Sequence, residues 1–124
     1  MIYLDTHVVV WLFAGRLDKL TGKVTELINK KEIAVSPIVR LELQYLFEIQ
    51  RITVHANEIV TDLFDRIGLK ICSKDFNAVI NSAFALDWTR DPFDRIIVAN
   101  ASINHDILVS KDQSILKNYD NAVW

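Results

Sequence analysis

Two aspartates three residues apart carry the clearest chemical signal in this chain. Asp91 and Asp94 open the segment Thr89–Ala101, in which Pro92 fits the first helical position because its missing N–H is not needed there. Asp91 is then predicted at the helix N-cap, and Asp94 lies one turn in, beside hydrophobic residues. Both acids could simply cap the helix. A metal ion or a reaction explains Asp94 better, provided that other acids converge on it.

Three further acids follow predicted strands or lie in the helices after them. Asp5 comes directly after the apolar run Met1–Leu4, and Asp112 follows the apolar run Ile107–Ser110. Glu42 lies in the second turn of a helix that follows another apolar run. Each has a simpler interpretation when taken alone, since the two aspartates could be helix caps and Glu42 a solvated helix residue. Their common position at strand ends favours a shared role.

Clustered carboxylates repel one another, and this repulsion indicates what else the site needs. Two carboxylates about 4 Å apart cost about 4 kcal/mol at an effective dielectric constant of about 20. Such a cluster persists only if a hard cation or shared protons compensate the charge, and Mg²⁺ is the usual cation. The acids therefore predict a divalent metal site.

Alternating strand and helix patterns are expected to bring these acids together. Strands are predicted at 1–4, 33–35, 69–72, 107–110 and 122–124, and helices at 7–13, from 21, from 37, at 55–67, 73–86, 92–101 and 113–119. Elements of this length in this order predict an α/β fold, with a mostly parallel central sheet covered by helices on both faces. The carboxyl ends of the strands then share one edge, where ligands bind in such sheets. Residues 1–124 are predicted to form a single domain.

Composition limits the possible functions. The chain has 124 residues, 51% of them hydrophobic, and a net charge of −2, so no overall basic field indicates a nucleic-acid partner. Its one cysteine, Cys72, cannot form an internal disulfide and is predicted to be buried. No apolar run approaches the roughly 20 residues of a membrane span. The chain opens with a strand pattern rather than a signal peptide, and we expect a cytoplasmic protein.

The acidic motifs, in this order, resemble those of a PIN domain, and most closely those of the VapC toxins of bacterial toxin–antitoxin pairs. The resemblance covers essentially the whole chain and is carried by Leu4–His7, Ser36–Glu42, Arg90–Arg95, Leu108–Asp112 and the ending Ala122–Trp124. It implies a three-layer PIN-like sandwich and a ribonuclease that depends on Mg²⁺ or Mn²⁺. It also implies a cognate antitoxin as partner, and a homodimer.

Carried over by position, the resemblance assigns roles to individual residues. The acidic quartet would be Asp5, Glu42, Asp94 and Asp112. Asp5 and Asp94 would bind the metal directly, Glu42 would complete the coordination or orient a water, and Asp112 would hold a second ion or its hydration shell. Asp91 stays an alternative ligand to Asp94. One or two such ions can polarise a phosphodiester and lower the pKa of a bound water.

Hydroxyl and basic side chains flank the predicted site. Thr6 and Ser110 could bind the carboxylates or a substrate phosphate, or cap helices locally. The basic residues Arg90, Arg95, Lys111 and Arg40 could bind RNA phosphates or only balance the acids. The histidines, including His7, lack metal-ligand spacing. Trp11, at a helical position, is predicted to belong to the core.

Three other functions remain open from the sequence. One is a housekeeping PIN nuclease without an antitoxin, and another is a catalytically inactive binding scaffold. The third is a phospho-accepting receiver domain, which also gathers acids at strand ends of an α/β fold. A receiver usually has two adjacent acids after its first strand, whereas here Asp5 is followed by Thr6.

Overall fold

A parallel sheet organises the chain, and the computed structural model describes all of residues 1–124. The five strands are β1 (Ile2–Leu4), β2 (Ile33–Val35), β3 (Lys70–Ile71), β4 (Ile107–Val109) and β5 (Ala122–Val123). The seven α-helices are α1 (Thr6–Phe13), α2 (Gly22–Lys30), α3 (Pro37–Glu48), α4 (Ala56–Ile67), α5 (Phe76–Ala83), α6 (Pro92–Ser102) and α7 (Gln113–Asn118), with a short 3₁₀ turn at Leu17–Lys19. No helix is long and apolar enough to cross a membrane.

The strands lie in the order β3-β2-β1-β4-β5, and every pairing is parallel. The predicted α/β class is thus confirmed, with a sheet that is entirely rather than mostly parallel. The chain steps from β1 to β2 to β3 on one side and then returns to place β4 on the other side of β1. Such a reversal leaves a crevice outside the carboxyl ends of β1 and β4. Receiver domains have the order 2-1-3-4-5 instead, which argues against that alternative.

Buried apolar triplets form the centre of the sheet. Every residue of β1 and β2 is buried, as is expected for parallel strands covered on both faces. Helices α1, α3 and α4 pack against one another, while α5 packs against α6. The sheet shares one large hydrophobic core with α1, α3, α4 and part of α6. Helix α5 packs on α6 through a separate small cluster of Val79, Ala83 and Ala99.

Helix boundaries follow the predicted caps. The Ser36 hydroxyl accepts a hydrogen bond from the Ile38 amide at the start of α3, directly before Pro37. Asp91 is the N-cap of α6, as predicted, and its Oδ1 accepts bonds from the amides of Phe93 at 2.9 Å and Asp94 at 3.2 Å. These local signals fix where the acid-bearing helices begin.

One helix and one side chain differ from the sequence prediction. The helix predicted at 73–86 spans only Phe76–Ala83, and Asp75 sets its start by accepting a hydrogen bond from the Ala78 amide. Cys72 is half-buried rather than fully buried. Its Sγ accepts a hydrogen bond from the Tyr3 hydroxyl at 3.4 Å, so the thiol has a polar partner in place of purely apolar packing.

Candidate active site

All five predicted acids lie around one cleft at the carboxyl ends of β1 and β4. The cleft has a volume of about 510 Å³. Its lining residues are Asp5, His7, Trp11, Glu42, Asp91, Asp94, Lys111, Asp112 and Gln113. The fold therefore brings the acids together at the edge where the sequence predicted them.

Asp5 forms the floor of this cleft and is held on both carboxylate oxygens. Its side chain is buried, with 6% of the residue exposed. The Ser110 hydroxyl donates to Oδ2 at 2.6 Å, and the Thr6 amide donates to Oδ1 at 2.8 Å. Burial raises the pKa of Asp5, while these two hydrogen bonds lower it in part. The carboxylate is thus fixed in position between β1 and β4.

Glu42 reaches the cleft from α3 and is fixed by a hydroxyl. The Thr6 hydroxyl donates to Glu42 Oε1 at 2.5 Å, which joins the start of α1 to α3. Burial raises the pKa of Glu42, the Thr6 bond lowers it, and the nearby charges of Asp5 and Asp91 raise it further. One oxygen of Glu42 is therefore used for positioning, and the other makes no hydrogen bond within the chain.

Asp94 differs from the other acids because its carboxylate has no hydrogen-bond partner in the chain. Burial raises the pKa of Asp94 to about 7, and the charges of Asp5, Asp91, Asp112 and Glu42 contribute to the increase. All four other acids therefore act electrostatically on this one group. An uncompensated carboxylate of this kind is ready to receive a cation.

Asp91 and Asp112 have local roles as well as places in the cleft. Each is the N-cap of a helix, and Asp112 Oδ1 accepts from the Ile115 amide at 3.0 Å. Both still line the cleft and raise the pKa of Asp94. Asp91 and Asp112 therefore both cap helices and contribute negative charge to the cleft.

Two of the predicted substrate-binding groups have other partners. Thr6 and Ser110 are fully buried, and their hydroxyls are committed to Glu42 and Asp5. Of the two roles that the sequence left open, the structure assigns them that of carboxylate positioning. The prediction that they bind substrate phosphate is wrong, because neither hydroxyl reaches the cleft surface.

Of the four basic residues predicted to flank the site, only one lines the cleft. Lys111 lines the cleft, but Arg95 bonds the carbonyls of Ala83 and Phe84 at 2.9 and 3.4 Å. Arg95 therefore connects α6 to the end of α5 and does not line the cleft, so its contact with RNA stays a prediction. Arg40 points to Asn57 instead, at 3.5 Å. Arg90 is exposed but does not line the cleft, so its contact with RNA stays a prediction.

Sequence reasoning missed three residues of the cleft: His7, Trp11 and Gln113. The spacing of the histidines does not predict a metal ligand at His7, and helical periodicity predicts Trp11 in the core. Both lie on α1 four residues apart, and therefore on one face of the helix that Asp5 caps. The sequence signal that could have found them is this four-residue spacing on the helix that begins directly after Asp5. Periodicity alone could not separate a core face from a cleft wall.

The donor set suits a hard divalent cation. No group of three or more His, Cys, Asp or Glu side chains is arranged to hold a metal ion on its own. Mg²⁺ does not need one, because it is usually bound through one or two carboxylates and keeps several water ligands. The oxygen-only acids around the unpaired Asp94 fit this mode of binding. Asp5 and Asp94 would hold the ion, with Glu42, Asp91 and Asp112 around its water shell.

Similarity to known proteins identifies the family of this chain. The chain is similar to VapBC2 from Rickettsia felis bound to a DNA fragment from its promoter, with 21% identity, a TM-score of 0.68 and coverage of 99% of this chain and 96% of that chain. It is also similar to a toxin–antitoxin complex from Klebsiella pneumoniae, with 15% identity, a TM-score of 0.69 and coverage of 100% and 97%. No curated protein matches the sequence. The family described as PIN domain matches residues 2–121, so the chain belongs to the PIN-domain family of nucleases.

Proposed function

We propose that this PIN domain is an endoribonuclease that depends on Mg²⁺ or Mn²⁺, and that it is the toxin of a toxin–antitoxin pair. The observation that carries the proposal is the unpaired Asp94 among four other cleft acids. Repulsion among these carboxylates destabilises the metal-free fold, and a bound cation would compensate for it. A phosphodiester is the substrate class that such a cation serves in a nuclease.

The chain's own residues divide the work of the site. A divalent ion in the cleft would polarise the phosphodiester and lower the pKa of a water. Asp5 is buried and fixed by Ser110 and Thr6, and it would hold the ion in a constant position. Glu42 keeps its Oε2 free, and its raised pKa makes that oxygen a better acceptor for the proton that the attacking water loses.

Cleavage of single-stranded RNA by the purified protein tests this proposal. We expect cleavage that stops with a chelator and returns when Mg²⁺ or Mn²⁺ is added in excess. Asp5→Asn, purified in the same way, should fold and lack activity, which also controls for contaminating nucleases. Cleavage that persists in the chelator, or equal cleavage by Asp5→Asn, would contradict the proposal.

An antitoxin partner is supported by a groove on α3, the helix that carries Glu42. The groove has a volume of about 550 Å³ and is formed by α3 and the start of α4, including Leu41, Gln44 and Asn57. Along α3 and its C-cap, the apolar side chains of Leu41, Tyr45 and Ile49 are exposed at intervals of four residues, and Leu41 also lines the groove. An amphipathic helix of the antitoxin would pack its apolar face against these exposed side chains. Of the two similar structures, one is described as a toxin–antitoxin complex and the other as VapBC2 bound to DNA.

The charge of the cleft suggests how such a partner would inhibit. Five carboxylates face a single lysine, so an antitoxin arginine reaching Asp5, Glu42 and Asp94 would replace the metal. We expect inhibition to weaken as the Mg²⁺ concentration rises and when basic residues of the antitoxin become alanine. Inhibition that is indifferent to both would mean that the partner blocks RNA elsewhere. A homodimer and a cytoplasmic location remain predictions.

A further inference from the structure

The active-site cleft contains aromatic and basic residues as well as acids. His7 and Trp11 lie on the same face of α1, with ring centroids 6.2 Å apart and planes tilted by 49°. The Lys111 Nζ lies 5.9 Å from the centroid of the Trp11 ring. All three residues line the cleft. None of them is needed to explain the metal site.

Trp11 is held in place from outside the cleft. The Trp124 ring lies 5.7 Å from the Trp11 ring at an angle of 56°, and Trp124 is not one of the cleft-lining residues. Trp11 is half-buried and packs against the main core. An aromatic ring fixed in this way loses little conformational freedom when a flat ligand stacks on it. Lys111, by contrast, is exposed and makes no salt bridge.

The charge balance of the cleft makes an aromatic contact useful. Binding to phosphates normally supplies most of the affinity for nucleic acid, but this cleft offers one lysine against five acids. Stacking of a base on an aromatic ring does not depend on charge and tolerates every base. A base in a duplex is already stacked, so this contact is available only to an unpaired nucleotide.

We propose that His7 and Trp11 form a stacking platform for one unpaired base of the RNA substrate, and that Lys111 contacts the phosphate next to that base. The proposal rests on the proposed ribonuclease function and specifies its substrate as single-stranded. The platform lies beside Asp5, so the stacked nucleotide would adjoin the phosphate that is cleaved. The platform would add to the affinity for RNA and fix the register of the RNA in the cleft, without a strong preference for one base.

Binding and cleavage by Trp11 variants provide the first test. A short labelled single-stranded RNA is titrated into the Asp94→Asn protein in Mg²⁺, with and without Trp11→Leu, and Kd is read from fluorescence anisotropy. We expect Trp11→Leu to weaken binding about tenfold, and Trp11→Phe to keep most of the affinity. With Asp94 intact, Trp11→Leu should raise KM by a similar factor and leave kcat nearly unchanged. Phe64→Leu, which removes an exposed aromatic ring on α4 outside the cleft, is the matched control.

Removing the base instead of the ring separates stacking from a structural effect. A series of RNAs, each with one abasic position, should contain one position at which binding to the Trp11 protein falls about tenfold. With Trp11→Leu, the same abasic position should cost almost nothing further, because both changes remove the same contact. Unchanged binding by Trp11→Leu, or losses that add in full, would overturn the platform. RNA cleavage that fails altogether in the wild type would instead overturn the nuclease.

Discussion

The active-site cleft and the Lys74–Asp106 pair both withdraw carboxylates from water, but they treat the charge in opposite ways. Asp106 comes just before β4, and its Oδ2 accepts from the Lys74 Nζ at 3.1 Å. The same ammonium donates to the Asn100 carbonyl at 2.5 Å and lies 4.6 Å from the centre of the Tyr3 ring. At the other end of the strand, Asp112 and the cleft acids form no salt bridge.

The Lys74–Asp106 pair and the cleft acids thus separate charges that are compensated within the fold from charges that are available to bind a ligand. A largely buried carboxylate with its own ammonium has its charge compensated within the fold, and breaking the pair leaves an uncompensated buried charge. A carboxylate surrounded by like charges lowers the stability of the metal-free protein and gains from any cation that arrives. Substitutions should therefore have opposite consequences in the two regions.

The largest effect is expected from Asp94→Asn. Loss of a metal ligand should reduce RNA cleavage at least about a hundredfold, since even residues behind the ligands matter by up to that factor. The free energy of unfolding without metal should stay the same or increase, because repulsion in the cleft is relieved. Initial rates and urea unfolding measure the two quantities. Full activity in this variant would move the ligand role to Asp91.

Lys74→Met should show the reverse pattern. Removing the ammonium leaves Asp106 largely buried without its partner, and we expect a loss of about 2 kcal/mol in the free energy of unfolding. Cleavage per folded molecule should be unchanged. Arg66→Met, at the more exposed Arg66–Asp62 pair, is the matched control and should leave the free energy of unfolding nearly unchanged. Equal losses in the two variants would contradict the contrast between paired and exposed charges.

The pH dependence of stability should distinguish the regions as well. The pKa of Asp94 is raised from 3.8 to about 7 in the folded protein, so the native state holds a proton that the unfolded state has released. Its stabilising effect is complete below about pH 4 and is lost as the pH rises to about 7. Urea unfolding of the metal-free protein should show this decline, to which the raised pKa values of Asp5 and Glu42 add with the same sign.

Two variants check the assignment of that pH effect. Asp94→Asn should flatten the decline in stability between about pH 4 and pH 7, because the titrating carboxyl is gone. Lys74→Met should lower the free energy of unfolding and retain the part of the decline that the Asp94 carboxyl causes. A decline that persists in full without the Asp94 carboxyl would show that the titration belongs to other groups.

The smallest effects are expected at Asp91, where the two roles meet. Asp91→Ala should cost about 1 kcal/mol of stability, because the amides of Phe93 and Asp94 lose their cap. Asp91→Ser restores a cap and should be nearly neutral in stability and in cleavage rate. An Asp91→Ser protein that folds normally and cleaves nothing would identify Asp91 as a metal ligand.

Local sequence was sufficient for the parts of the molecule that depend on local physics. The buried strands before Asp5 and Asp112, and the Asp91-Pro92 helix start, could be predicted because apolar runs and caps act over a few residues. The convergence of the acids on one edge then followed from the rules for parallel sheets.

The missed features depend on tertiary contacts. Arg95 bonds carbonyls at the end of α5, and that destination is set by how α5 packs on α6. The Thr6–Glu42 bond joins residues 36 positions apart in the chain. Trp11 has the same helical periodicity whether it faces the core or a cleft, so only its contacts with Trp124 and Lys111 reveal its place.

Calorimetric titration of Mn²⁺ into the purified protein tests most directly whether the unpaired acids form a metal site. The wild type and Lys74→Met should bind the ion with the same affinity, tighter as the pH rises through about 7, where Asp94 loses its proton. Asp94→Asn should bind at least about tenfold more weakly. Binding of Mn²⁺ to Asp94→Asn with the wild-type affinity would contradict the assignment of the cleft acids as the metal site.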